Sequence, residues 1–115
     1  MTKRVENYQR DDGTSFAVVK LIGDVDLATD LSTRASLRAA FVRAMASERP
    51  VIVDCSGMTF LSISGIRALL EAKQRYHRDS PLRLVGPPEG PLARMVDLLG
   101  LNGLFHVYPT VTAAL

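Results

Sequence analysis

The sequence predicts a small α/β sandwich: a mixed but mostly parallel sheet of about four or five strands, with helices mainly on one face. Three observations carry that expectation. Short β-branched, apolar runs alternate along the chain with segments of helical periodicity. The segments between most of these runs are long enough to hold a helix, as right-handed parallel crossovers require. The run Val51-Ile52-Val53-Asp54-Cys55 is apolar almost throughout, as expected of a strand covered on both faces.

Each element has its own reason. Residues 16–22 are β-branched and apolar, and Asp12-Gly13 ahead of them is a turn signal, so they read as a strand. Residues 3–9 would pair with it as an N-terminal hairpin. Gly23-Asp24-Val25-Asp26 breaks the strand, and a helix is expected from about 29 to 47. Leu37, Ala40, Phe41 and Ala44 recur there at i, i+3, i+4 and i+7, one buried face, while Arg34, Arg38 and Arg43 fall elsewhere. Pro50 marks the exit, residues 51–55 form the next strand, and Ser56-Gly57 is expected to turn the chain. A further helix should begin near Ser64-Gly65 and end before Asp79-Ser80-Pro81. Ile66, Leu69 and Leu70 give it an apolar stripe that Tyr76 and His77 extend, and Lys73, Arg75 and Arg78 complement the macrodipole at its C-terminal half. Residues 82–85 are a strand closed by Gly86-Pro87-Pro88. Pro91 suits a first helical turn, with Leu92, Met95, Val96 and Leu99 on one face and Gly100 just past the end. Residues 105–108 read as the last strand, and Thr110 as the cap of a final turn over 111–115. With so few residues, the other face of the sheet and an edge should stay available.

Length and composition narrow the class. The chain has 115 residues, 47% hydrophobic and 23% charged, which suits one domain spanning 1–115. Its first dozen residues are polar, without a secretory pattern, and no apolar run approaches the roughly 20 residues of a membrane span. A cytoplasmic protein without membrane insertion is expected. The 14 basic and 12 acidic residues leave a net charge of +2, and the basic residues are scattered, so direct nucleic-acid binding is not expected. Cys55 is the single cysteine; it excludes an internal disulfide and a cysteine metal cluster, and reads as a buried, inert thiol.

Catalytic and metal-binding patterns are poor. His77 and His106 belong to no ligand spacing such as H-E-x-x-H. Asp24 and Asp26 could pair as acid and base or hold a cation, but Asp after a strand more often forms turns and caps helices. The loop Gly86-Pro87-Pro88-Glu89-Gly90-Pro91 cannot cradle phosphate, because its prolines remove the backbone N–H groups needed. No catalytic residue, cofactor or metal is therefore expected, and an enzyme is not. The segment Phe60-Leu61-Ser62-Ile63-Ser64-Gly65-Ile66 is more informative. It joins a strand to a helix, where Ser62 or Ser64 would cap the helix N-terminus, either as a plain capped loop or as a docking or modification site.

Four pieces, in order, resemble the STAS domain family, which includes bacterial anti-anti-sigma factors. Leu21-Ile22-Gly23-Asp24-Val25-Asp26 is similar to its strand ending in Gly-acid-apolar-Asp. Residues 51–58 are similar to its hydrophobic strand and Asp-x-Ser turn. Residues 60–66 stand where the family carries Phe-apolar-Asp-Ser-Ser-Gly-apolar, and residues 92–101 resemble its third-helix pattern. The resemblance implies a STAS-like sandwich and a phosphorylation-gated partner switch: an anti-sigma factor antagonist that binds an anti-sigma factor of serine-kinase type and so frees a sigma factor for transcription, as in stress responses. Phosphate on the first serine of that motif ends binding, through its added charge and the desolvation it demands at an interface.

The sequence departs from the motif at the decisive position. With Gly65 on the family glycine, Ser62 takes the place of the Asp, Ile63 that of the phosphoacceptor and Ser64 that of the second Ser. Ile63 has no hydroxyl, so the switch is absent or moved to Ser62 or Ser64, the candidate phosphorylation sites. The partner surface implied comprises Asp24, Asp26, Ser62, Ile63, Ser64, Gly65, Ile66 and Arg67, on the exposed side of the helix with Glu71. Ile63 either adds apolar contact there or folds inward. The rival function is a STAS module that binds a small ligand, a lipid or a transporter subunit. A homodimer is left open.

Overall fold

The computed structural model describes residues 2–9, 12–23, 35, 38–39, 41–43, 49–58, 62–76 and 78–115; for residues 2–9, 22, 23, 64 and 76 it describes the backbone alone. Among the described residues, five strands form one sheet in sequential order: β1 (Thr2–Gln9), β2 (Ser15–Gly23), β3 (Val51–Met58), β4 (Leu82–Val85) and β5 (Phe105–Tyr108). The β1–β2 pair is antiparallel, as the hairpin reading expected, and β2 through β5 run parallel. The hairpin closes at Gly13, whose φ of 89° lies in the left-handed region glycine reaches freely, while Asp12 Oδ1 accepts the N–H of Thr14 at 2.9 Å. Helices α1 (Ile63–Tyr76), α2 (Pro91–Leu98) and α3 (Val111–Ala114) follow the last strands in turn. Within the helix expected over 29–47, Ala35, Arg38, Ala39, Phe41, Val42 and Arg43 are helical; the rest lies outside the described residues.

Strand alternation sorts the core into two layers. Ala17, Val19 and Leu21 of β2, Val51, Val53 and Cys55 of β3, Leu82 and Leu84 of β4 and Phe105 of β5 face one side. Phe41, Ile66, Leu69, Leu92 and Val96 from the helices close over them. Each such fully buried aliphatic side chain stabilises by about 1.5–3 kcal/mol relative to exposure, which is why α1 and α2 stay down.

The opposite face is not left open as expected. Phe16, Val18, Ile52 and Val85 form a second buried cluster there, covered by Ala114 with Val111 and Leu115 partly buried beside it. The final turn is thus a working lid. Thr110 Oγ1 accepts the Ala113 N–H at 3.1 Å and starts α3. Arg83, on this face by strand alternation, donates from Nη1 to the backbone oxygens of Ala114 at 2.5 Å and Leu115 at 3.1 Å. Its guanidinium also lies 5.3 Å over the Phe16 ring.

Three local expectations need correction. Ser56-Gly57 does not turn the chain: β3 continues through Met58, with a register shift against β2 between Lys20 and Ile22. The cause is local, since the Ser56 N–H donates to Asp54 Oδ1 at 3.0 Å, so this pair of residues bulges instead of turning. Leu99 does not belong to the buried stripe of α2; it is the C-cap and is exposed, with Leu92 and Val96 alone fully buried. Lys73 is no surface cation. It leaves 3% of its surface exposed, one turn beyond Leu69 on the inner side of α1, where an aliphatic stem can line a core.

Candidate functional site

The site expected from the sequence is the β3–α1 junction. Midway along β3, Asp54 is buried to 8% exposure and its Oδ1 accepts both the Ser56 N–H at 3.0 Å and the Ser56 hydroxyl at 2.6 Å. A buried carboxylate without such donors would be costly; with them it holds the strand at its irregular step. Next to it, Cys55 faces the helix-covered core. Burial, with a smaller push from the Asp54 charge, raises its thiol from 9.0 to about 12, so it stays protonated at neutral pH.

Across the junction, Ser62 caps α1. Its Oγ accepts the Gly65 N–H at 3.0 Å and its carbonyl accepts the Ile66 N–H at 3.1 Å. Capping by Ser62 moves the helix start to Ile63, one residue before the expected Ser64. Ile63 then occupies the first helical position with 53% of its surface exposed, among the large apolar residues most open to solvent. Of the two alternatives for this side chain, the outward one is the geometry observed.

The other named positions separate. Arg67 is exposed one turn along from Ile63. Gly65 is buried, and Ile66 leaves 1% exposed within the core cluster. Ile66 is therefore corrected: as a contact residue it would have to leave the core, and it supports the surface from beneath instead. Ser64 lies within α1, and its side chain is outside what the structure describes. Asp24 and Asp26 lie outside the described residues, as does His77. His106 is exposed on β5.

Two depressions extend beyond the residues named from the sequence, the first on the helix side that already carries Arg67 and Glu71. A shallow groove of about 550 Å³ runs along the outer side of α1, lined by Arg67, Leu70, Glu71, Gln74, Arg75 and Arg78. Their spacing of i, i+3, i+4, i+7, i+8 and i+11 is the sequence signal of one helix side. A second depression of about 790 Å³ lies between the edge strand β5 and α2, with Arg94, Asp97, Asn102, His106 and Tyr108 on its walls. Among the described residues, no group of three or more His, Cys, Asp or Glu could share a metal ion. Among them, too, no helix is long and apolar enough to cross a membrane.

Comparison with known proteins agrees with this fold. The family model for the STAS domain matches residues 6–114. A crystal structure of an anti-sigma factor antagonist from Mycobacterium paratuberculosis is similar with a TM-score of 0.68 and 24% identity, covering 98% of this chain and 91% of its own. An uncharacterised protein with a SpoIIAA-like fold from Shewanella loihica PV-4 is similar with a TM-score of 0.65 and 14% identity, covering 97% and 89% respectively. At these identities the likeness concerns the fold. No curated protein matches the chain.

Proposed function

The chain belongs to the STAS domain family, and from that premise we propose that it is a non-enzymatic, protein-binding regulator, an anti-sigma factor antagonist acting in the cytoplasm as one domain over residues 1–115. Its partner is an anti-sigma factor of the serine-kinase type, and its binding releases a sigma factor for transcription. Family membership supports the reading, as does a fold shared with a protein described as an anti-sigma factor antagonist.

The observation that carries it is Ile63. At the helix N-terminus, where the family motif carries its phosphoacceptor serine, this chain sets an exposed aliphatic side chain. An apolar tip gains by leaving water at an interface and cannot accept phosphate. Docking is then constitutive with respect to the partner's kinase activity. Ser62, whose hydroxyl caps the helix, and Ser64 remain the alternative acceptors.

The test is to incubate the chain with candidate kinase-type anti-sigma factors and ATP, following complex formation and phosphate incorporation together. A stable complex that persists in ATP without incorporation supports the reading. Phosphorylation of Ser62 or Ser64 accompanied by loss of the complex overturns the constitutive part. Failure to bind any such factor, with a lipid or nucleotide retained in native mass spectrometry, overturns the whole in favour of a ligand-binding module.

A further inference from the structure

We propose that the outer side of α1 is a docking groove for an acidic segment of a partner protein, held by Arg67, Arg75 and Arg78 above a floor formed by Leu70. The inference rests on the reading of this chain as a protein binder and specifies the chemistry of the partner along the helix behind the Ile63 tip.

Geometry comes first. At about 100° per residue, positions 63, 67, 70, 71, 74 and 75 fall within one sector of about 140°, away from the sector that carries Ile66, Leu69 and Lys73 into the core. Arg67, Leu70, Glu71, Gln74, Arg75 and Arg78 line one continuous depression of about 550 Å³. Ile63 is one turn ahead of Arg67 in the same sector, so groove and tip form a single surface. The helix is 14 residues long, which makes this strip about 20 Å, the span of roughly six extended residues.

Charge identifies the occupant. The groove holds three arginines against Glu71, a formal excess of 3 − 1 = +2. The whole chain carries 14 basic and 12 acidic residues, also +2. The remaining 11 basic and 11 acidic side chains cancel in the formal sum, which leaves an excess equal to that of the groove, formed by this helix side and Arg78 just past its end. Arg75 and Arg78 also complement the C-terminal end of the helix dipole. Arg67 stands in the second turn, where the dipole gives a cation no advantage, so dipole compensation does not account for the set. Guanidinium groups spaced along a strip recognise carboxylates bidentately. Half-buried Leu70 offers an apolar seat between them. A nucleic acid or an anionic membrane presents a long or broad array of phosphates, whereas these cations form a single strip about 20 Å long.

Fluorescence anisotropy with the full chain and a short labelled peptide of glutamate and leucine tests the chemistry, with the glutamine-for-glutamate peptide as control. Binding about tenfold or more tighter than the control is expected, weakening about tenfold on raising salt from about 50 to 200 mM. The Arg67→Glu/Arg75→Glu pair should reduce binding at least tenfold, and the Arg67→Gln/Arg75→Gln pair should do so without added repulsion. Equal binding of the two peptides, or indifference to both variant pairs, overturns the proposal. So does displacement of the peptide by phosphatidylserine vesicles or single-stranded DNA at equal charge concentration. Capture of a kinase-type anti-sigma factor separates this inference from the function it builds on. Complex lost with Ile63→Asp but kept with the arginine pairs overturns the groove alone, complex kept by all variants overturns both, and loss with each supports both.

Discussion

Ile63 and Ile66 lie three residues apart on α1, yet the first leaves 53% of its surface in solvent and the second leaves 1%. Cations on the same helix divide in the same way: Lys73 is buried, and Arg75, two residues later, is exposed. The inner sector of α1 faces β2–β5 and answers to packing; the outer sector faces solvent and is free to answer to a partner. Residue type does not decide which role a side chain takes here. Angular position relative to the sheet does, so the two sectors should respond to substitution in opposite ways.

The largest effect is expected on the inner side. Ile66→Ala removes three carbons from a closed core and should cost about 2–5 kcal/mol in unfolding free energy, measured by urea denaturation. A cost under about 1 kcal/mol would mean that the core collapses into the space, and the contrast between the sectors would lose its basis. Cys55 tests the same layer from the sheet side. Its folded-state thiol, raised from 9.0 to about 12 by burial and then by Asp54, holds its proton more tightly than the unfolded chain does. That contribution is whole below pH 9.0 and is lost as pH rises towards 12, at up to roughly 1.4 kcal/mol per pH unit. Between pH 9 and 11 the unfolding free energy should therefore fall more steeply for the natural chain than for Cys55→Ala. Parallel slopes would show that the thiol is reached by water.

A smaller effect belongs to the boundary between the sectors. Ser62→Ala deletes the acceptor that meets the Gly65 N–H at 3.0 Å and should cost about 0.5–2 kcal/mol in the same assay. Ser62→Asp restores an oxygen beside the positive end of the helix and should recover most of that loss. No recovery would assign the Ser62 contribution to something other than capping.

These contrasts also explain how far the sequence could be read. The N-terminal hairpin, α1, α2 and the final capped turn follow from local signals such as the Asp12-Gly13 turn, Pro91, Gly100 and Thr110, each of which acts within a few residues. Gly100, for instance, takes a φ of 67° just past α2, where glycine ends a helix without penalty. What was hidden depends on contacts distant in sequence. The return of α3 over Phe16, Val18, Ile52 and Val85 rests on Arg83, whose partners are 31 and 32 residues away. Lys73 looked like a surface cation because periodicity ranks lysine as polar and ignores its stem. Ser56-Gly57 carried the composition of a turn, yet the Asp54 side chain accepts the Ser56 N–H there and the strand runs on through Met58. At the site, the cap and the missing hydroxyl at Ile63 were legible, whereas the burial of Ile66 competed with a motif that runs through it without distinguishing its two faces.

The smallest effect on stability, and the most informative for function, is expected at Ile63 itself. Substitution to Asp removes a side chain that is already about half in water, so little burial is forfeited. The new carboxylate sits at the first helical position, where the macrodipole favours negative charge by about 0.3–1 kcal/mol. The two terms oppose each other, and unfolding free energy should stay within about 0.5 kcal/mol of the natural chain, even as the same substitution places a charge at the proposed contact and should abolish the complex. A loss of more than about 1.5 kcal/mol would place Ile63 among packed residues. The outer sector of α1 would then extend the core at its N-terminal end, and constitutive docking through an aliphatic tip would lose its physical ground.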